Sequence, residues 1–522
     1  MANKTLFKSL LGRLVPPTDA SNEEHAPAYA LSPKHQLAQY AATGCLNSTF
    51  YASADAQLKT VLDLCADLDA EFIAKTAVFC RERGYMKDIP ALLCAVLSVK
   101  DRELLNTIFP RVIDNAKMLR NFVQIMRSGA VGRKSLGSAP KRLVREWLDA
   151  RTPVALFKAN VGQDPSLSDI LKMVHPKPKD KTREALFGYF IGRDYAFEAL
   201  PEVVRNFEAF KNGESLEVPD VPFQMLTSLP MGKAEWTAVA RRAPWQMTRM
   251  NLNTFARHGV FGEPGVAEIV ANRLRDPQSI ATARVFPYQL LVAHCAASAN
   301  ADIPREVCEA LQDAMEIATA NVPAIDGQVY VCPDVSGSMM TPITGQRQGA
   351  TTTVRCIDVA ALVSAAVLRK NPNTRVLPFA CRVVKVKLNP RDSVMTNAER
   401  LAAIGGGGTN CSAPLARLNR KKAKGDLVIF ISDNESWIDT TRGLGIRGTQ
   451  TMIEWSVYKQ RNPNARLVCI DVQPYRTVQA KERDDVLNIG GFSDHVFDVI
   501  AEFARGRLNA NHWIGVIDSV AL

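Results

Sequence analysis

The chemistry-bearing residues of this chain concentrate in its last third. Asp334-Val335-Ser336-Gly337-Ser338 places a carboxylate and two hydroxyls at alternate positions after an apolar, strand-like run. With that spacing all three oxygens can face one crevice. A second apolar run, 426–431, leads into Ser432 and Asp433, and between the two lies the flexible segment Gly405-Gly406-Gly407-Gly408-Thr409-Asn410. Asp334, Ser336, Ser338, Thr409 and Asp433 together offer two carboxylates and three hydroxyls, a hard, all-oxygen set. Such a set, completed by water, suits a divalent cation: Mg2+ first, with Mn2+ or Ca2+ as other hard candidates, and Zn2+ poorly. Taken alone, Asp-x-Ser-x-Ser is weak, because Asp and Ser after a strand often only cap a helix. Thr409 and Asp433 at matching strand ends make it specific.

Enzymatic readings of the same residues fail on chemistry. An aspartyl-phosphate phosphatase would need a second Asp where Ser336 stands. The glycine run lacks the Gly-Lys-Ser/Thr that makes a nucleotide-binding P-loop. No Ser/His/Asp set is visible from spacing. His258 and His294 lie in apolar helical context and read as satisfied core residues.

The second signal is electrostatic. Residues 116–185 carry 15 Lys/Arg against 6 Asp/Glu, most of the net charge of +11. Arg127, Arg133 and Lys134 flank a Gly/Ser-rich segment, Lys141, Arg142 and Arg145 follow on a predicted helix, and Lys172, His175 and Lys177 surround an extended His-Pro-Lys-Pro stretch. Cations interleaved with hydroxyls and free backbone donors suit phosphate oxygens. Aromatic residues are sparse in this block, so base stacking is limited and recognition of a structured RNA by shape and backbone fits better. A merely solvated basic face is the competing reading.

These groups need elements to position them. Before residue 325 apolar residues recur every three and four positions, in blocks beginning at Val61, Phe72, Leu92, Leu104 and Leu119. Each block is a helix of about three turns. Short breaks join them as antiparallel pairs, which predicts an α-solenoid over an irregular bundle. After 325 strand-like runs (327–332, 375–379, 382–388, 426–431, 466–472) alternate with helical ones (352–369, 450–460, 495–504), which predicts a parallel sheet covered by helices. In such sheets ligands sit beyond the carboxyl ends of the strands. Pro333, directly before Asp334, requires its strand to end there or to lie at an edge. At 522 residues the chain exceeds one ordinary domain, and 47% apolar content excludes wholesale disorder. The eleven cysteines are odd in number, scattered and without a Cys-x-x-Cys pair, which points to a reducing compartment. The first fifteen residues hold no apolar stretch long enough for a secretory signal, and no segment spans a membrane. The expectation is a cytoplasmic protein.

The metal constellation resembles the von Willebrand factor A domain and its metal-ion-dependent adhesion site, in which the matching Asp, Ser, Ser, Thr and Asp hold the ion and a partner's acidic group completes the shell. Helical repeats followed by such a domain resemble the Ro autoantigen family with its TROVE domain. The matching pieces are Asn47-Ser48-Thr49-Phe50-Tyr51-Ala52-Ser53, the 127–133 block, the 169–178 stretch, 248–258, Gly407-Gly408-Thr409-Asn410-Cys411-Ser412 and Ser432-Asp433-Asn434-Glu435-Ser436. The short spacers resemble those of bacterial members. The resemblance implies a TROVE domain of HEAT-like repeats over 1–325, closed into a ring, and a von Willebrand factor A domain over 326–522 that joins the ring's ends. It implies no catalysis. It implies a small non-coding Y RNA on the outer surface, with Lys172, His175 and Lys177 as contacts, and single-stranded ends of misfolded RNA in the ring hole. Arg127, Arg133, Lys134, Arg142 and Arg145 are RNA-contact candidates for either face. The implied partner is an exoribonuclease such as polynucleotide phosphorylase, tethered by the Y RNA, in RNA quality control, rRNA maturation or stress survival. Two rivals remain: a metal-dependent scaffold for an acidic protein ligand, and an A-domain subunit of an AAA-type ATPase complex.

Overall fold

The computed structural model describes residues 15–44, 46–162, 164–283, 287–319, 322–346, 354–438, 448–473, 475–491, 494–508 and 512–522. The reading of residues 1–14 and the predicted helical positions 352 and 353 lie outside them.

The five predicted helices form where the apolar spacing puts them: Ala54–Asp67, Ala70–Glu82, Asp88–Lys100, Arg102–Val112 and Ala116–Ser128. Four start on side-chain caps, in which Ser53, Asp69, Asp101 and Asn115 accept from orphan amides of the first turn. Packing is local. Ala70–Glu82 meets Asp88–Lys100 and Arg102–Val112, Arg102–Val112 meets Ser138–Asp149, and Ser138–Asp149 meets Leu167–Val174. Each helix touches its next one or two neighbours, the contact pattern of a solenoid.

The α/β part carries a five-stranded parallel sheet. Its strands are β3 (Val329–Pro333), β4 (Arg375–Val376), β5 (Leu427–Ser432), β6 (Arg466–Asp471) and β8 (Val486–Gly490), in the spatial order β4-β3-β5-β6-β8. Alternation along the strands explains their apolar runs. Val329, Val331, Leu427, Ile429, Ile431, Val468 and Ile470 point into one core. Tyr330, Cys332, Val428, Phe430, Leu467 and Cys469 point into another, against Leu415, Leu418, Met452, Trp455 and Tyr458. Both faces are buried, as continuous apolar strands require. Pro333 is the last residue of β3, and the next donor, Asp334 N, bonds Ile431 O at 2.9 Å. The strand thus ends at the proline, in the middle of the sheet.

One expectation is corrected. The 375–379 run starts as β4 and goes on pairing beside β3, through Leu377 N to Val331 O, Phe379 N to Pro333 O and a parallel bridge between Phe379 and Asp334, but 382–388 makes no strand beyond an isolated bridge between Phe379 and Val383. Its alternating Val384, Val386 and Leu388 pack beside the sheet without joining it. The fifth strand, β8, was not anticipated, because Val486–Gly490 is short and contains a buried Asn488.

The two parts interlock. The residues preceding the helices form β1 (Ala20–Ser21) and β2 (Pro27–Ala30), and β2 pairs antiparallel with β7 (Thr477–Val478) of the α/β part. Helix Pro33–Thr43 lies on β8, and the final helix His512–Asp518 packs against Pro33–Thr43 and Ala70–Glu82. At the other end of the array, Pro287–Ser298 meets Cys356–Lys370, and Arg305–Ala318 meets Val394–Ala402. There Glu316 accepts from Val394 N at 2.7 Å and pairs with Arg369 at 3.0 Å. Both ends of the helical array therefore rest on the α/β part, which closes the circuit. The described helices include none long and apolar enough to cross a membrane.

Candidate metal site and cation cluster

The sheet fixes where chemistry can occur. From β3 the chain runs to β4 on one side and then to β5 on the other, so the order reverses between β3 and β5. A crevice opens at such a reversal, beyond the carboxyl ends of the strands. Asp334 follows β3 and Asp433 follows β5.

Backbone bonds stitch three loops together there. Gly337 N donates to Gly407 O and Gly406 N to Val335 O, both at 2.8 Å, which seats the glycine loop on the Asp-x-Ser-x-Ser loop. Gly406 and Gly407 have φ of 122° and 93°, a region that favours glycine. Trp437 N and Ile438 N both donate to Thr409 O at 3.2 Å, joining Thr409 to the loop after Asp433. The five predicted ligands thus meet, and all are buried. Ser336 Oγ and Ser338 Oγ are 3.3 Å apart. Ser336 N donates to Asp334 Oδ1 at 2.8 Å, and Ser432 Oγ donates to Asp334 Oδ2 at 2.6 Å. The Ser338 hydroxyl bonds the Asp433 carboxylate.

The electrostatics are unbalanced. Burial and then the neighbouring Asp433 charge push the Asp334 carboxyl up to about 7. Burial likewise raises Asp433, Glu435 and Asp471. Glu435 Oε1 is buried without a hydrogen-bond partner. Among the described residues none of these four acids has an ion pair with Lys or Arg. Buried carboxylates without a cationic partner are costly unless they hold a metal. The oxygen donors and this charge excess fit a hard divalent cation.

Residues that spacing alone did not single out complete the surroundings. Ser432 orients Asp334. Asn434 and Gln39 both bond Asp471. Tyr51, from the loop before helix Ala54–Asp67, bonds Ser338 and stacks edge-on against Tyr475 at 5.7 Å. Asn22 and the Glu23 amide bond Ser436 O and Glu435 Oε2. The usable sequence signals were Asp433-Asn434-Glu435-Ser436 and the Tyr51 segment; nothing local marked residues 22 and 23.

The predicted cations fall into three groups. Arg127, Arg145, Lys172 and His175 converge. Arg145 Nε donates to Val174 O at the end of helix Leu167–Val174, where His175 takes a left-handed turn with φ of 47°. Ser166 holds the Asp169 carboxyl below its usual range, and the charges of Lys172 and Arg127 lower it further. All four side chains are exposed, and Lys177 is exposed on the following loop. Arg133 and Lys134 belong to the loop after Gly129, with Lys134 exposed and Arg133 half-buried. Arg142 is different: it pairs with Glu146 and bonds Asn106. The other six Lys and Arg candidates form no ion pair among the described residues. The expectation that His258 and His294 are satisfied core residues needs correction. His258 is half-buried and stacks on Trp236. His294 is buried, but its Nδ1 has no hydrogen-bond partner.

Residues 328–504 match the family model of the Ro60 vWA domain. The likeness extends beyond the Ro60 vWA domain. RNA-binding protein RO60 of Deinococcus radiodurans is 23% identical over 512 residues, spanning 92% of this chain and 94% of that protein. RNA-binding protein RO60 of Caenorhabditis elegans is 22% identical over 277 residues, 50% of this chain and 40% of that protein. The crystal structure of the D. radiodurans RO (RSR) protein superposes with a TM-score of 0.62 at 20% identity, covering 91% of this chain and all of that one. The fold, helical array and Ro60 vWA domain together, is shared, which bears out the resemblance read from the sequence.

Proposed function

We propose that this protein is a non-catalytic RNA-binding component of a ribonucleoprotein. The observation that carries this reading is the convergence of Arg127, Arg145, Lys172 and His175 on one exposed surface, where Asp169 is the acidic neighbour of Arg127 and Lys172 but the Lys and Arg side chains form no ion pair among the described residues. Exposed Lys and Arg side chains of this kind suit phosphate oxygens. The names of the RO60 relatives support the same polymer. In the finer reading the helical part, 1–325, holds a small structured Y RNA on this surface and single-stranded RNA ends in the ring hole. A tethered exoribonuclease such as polynucleotide phosphorylase then acts on those ends, in cytoplasmic RNA quality control. In the Ro60 vWA domain, within 326–522, Asp334, Ser336, Ser338, Thr409 and Asp433 would hold Mg2+. The ion would supply a positive centre for an acidic ligand.

The test is a mobility shift of a small structured RNA at two salt concentrations, with wild type and Lys172→Ala/His175→Ala/Lys177→Ala. Each lost phosphate contact should lower the salt slope by about 0.7–0.9. Wild-type affinity that ignores salt, or a variant that binds equally well, would overturn the reading. The adhesion alternative rests on the uncompensated buried acids. It predicts that Asp334→Ala abolishes capture of an acidic protein partner and leaves RNA binding intact.

A further inference from the structure

A second cluster of ligating groups lies on the far seam, where the end of the helical array meets the Ro60 vWA domain. Helix Pro287–Ser298 contributes His294 and Cys295, and helix Val394–Ala402 contributes Glu399. One ligand atom from each, the ring nitrogen, the sulfur and a carboxylate oxygen, lie within 4.8 Å of one another. His294 Nδ1 is 3.7 Å from the Glu399 carboxylate.

His294 supplies the independent observation. The residue is only 7% exposed, and Nδ1 has no hydrogen-bond partner although it faces the carboxylate. Nε2, in contrast, is engaged: Ser298 Oγ lies 3.4 Å and Gln312 Nε2 3.1 Å away. A ring held through one nitrogen with the other aimed at further ligands is the usual arrangement of a metal-binding histidine. With the metal on Nδ1, Nε2 carries the proton, and the Gln312 amide, whose Nε2 now faces that nitrogen, turns over so that its Oε1 accepts. Burial lowers the basicity of His294, which keeps the lone pair free.

We propose that His294, Cys295 and Glu399 form a Zn2+ site that clasps the helical array to the Ro60 vWA domain. The choice of metal follows from the donors. Sulfur and imidazole nitrogen favour Zn2+, whereas the all-oxygen site around Asp334 favours Mg2+. Charge balances: the thiol of Cys295 loses its proton to solvent, and thiolate plus carboxylate neutralise the ion. Cys295 and Glu399 are exposed, so the fourth position is open to water. Tetrahedral Zn2+ with bonds of about 2.0–2.3 Å brings the three ligand atoms somewhat closer than they now stand. The same seam is already held by Glu316 to Arg369 and to Val394 N. The ion therefore reinforces a formed contact.

The experiment titrates the full-length protein with Co2+ as a spectroscopic stand-in for Zn2+. One equivalent should produce a thiolate-to-cobalt charge-transfer band that Zn2+ bleaches. Cys295→Ser should abolish the band, and Glu399→Gln should weaken Co2+ binding at least tenfold. Cys381→Ser, which removes another exposed thiol, and Asp433→Asn, in the oxygen site, should leave it unchanged. Zn2+ should also slow amide exchange in Pro287–Ser298 and Val394–Ala402 of wild type but not of Cys295→Ser. No thiolate band at stoichiometric Co2+, or a band that survives Cys295→Ser, overturns the site. Exchange that Zn2+ leaves unchanged in wild type overturns the clasp.

Discussion

Protonation of His35 should weaken the other seam as pH falls. This histidine lies in helix Pro33–Thr43, where the ring Nε2 contacts Asn488 O of β8 at 3.0 Å and the ring edge packs on Trp513 at 5.6 Å. Burial drives its pKa from 6.5 down to about 4, with the Asn488 carbonyl opposing and His512 adding a small repulsion. A depressed base is neutral in the folded chain and protonated in the opened one between those values. Its stability contribution is therefore complete above pH 6.5 and is lost as pH falls towards 4. Between pH 7.5 and 5 the loss is about 2 kcal/mol, or about thirtyfold in the local opening constant. Amide exchange resolved by segment reads this directly, with Pro33–Thr43 and His512–Asp518 compared against the distant helix Ala116–Ser128 after normalisation to unfolded-chain rates. His35→Gln keeps a donor for Asn488 O and removes this titration, so the His35 part, read as the difference between wild type and variant, should vanish, while buried Glu482 beside Asn488, raised to about 8, titrates in the opposite sense in both proteins. If wild type and His35→Gln show the same pH profile, burial of His35 does not control the seam and the reasoning fails.

Other outcomes follow from the same geometry. Asp433→Asn should lose Mn2+ binding measured by calorimetry, and Ser432→Ala, which frees Asp334 Oδ2, should weaken it by about 10–100-fold; unchanged affinity in both would refute the oxygen site. Gly490→Ala should cost about 1–3 kcal/mol in urea unfolding, because a Cβ there would stand 1.8 Å from Gln39 Oε1 and 3.2 Å from Thr43 Cγ2. Phe122→Ala should cost about 3–5 kcal/mol by the same assay, since this fully buried ring packs edge-on against Phe109 at 5.2 Å.

The helices from Ala54 to Ser128 were readable because their signals are local: period-3.6 apolar spacing, and a Ser, Asp or Asn cap at four of the five starts. The core strands were readable because burial on both faces leaves an uninterrupted apolar run in β5 and β6. The 382–388 run misled for the complementary reason. Its residues alternate like a strand, but the run packs beside the sheet without joining it, and only tertiary context decides which backbone pairs. The convergence of Arg127 with Lys172 was likewise invisible, because it depends on how separate helices stack.

The sequence by itself determined the candidate ligand set: fixed offsets from strand ends carry Asp334, Ser336, Ser338 and Asp433 to the sheet's switch point, and the glycine loop seated there brings Thr409. It also determined the concentration of positive charge in 116–185. Tertiary structure alone decided what surrounds them. Residues 22, 23 and 51 reach the metal loops from hundreds of positions away. His294 acquires Glu399 as a neighbour only because the array closes back onto the Ro60 vWA domain. Contacts between residues this far apart in the chain leave no periodicity or spacing to read; they exist only once the circuit is closed.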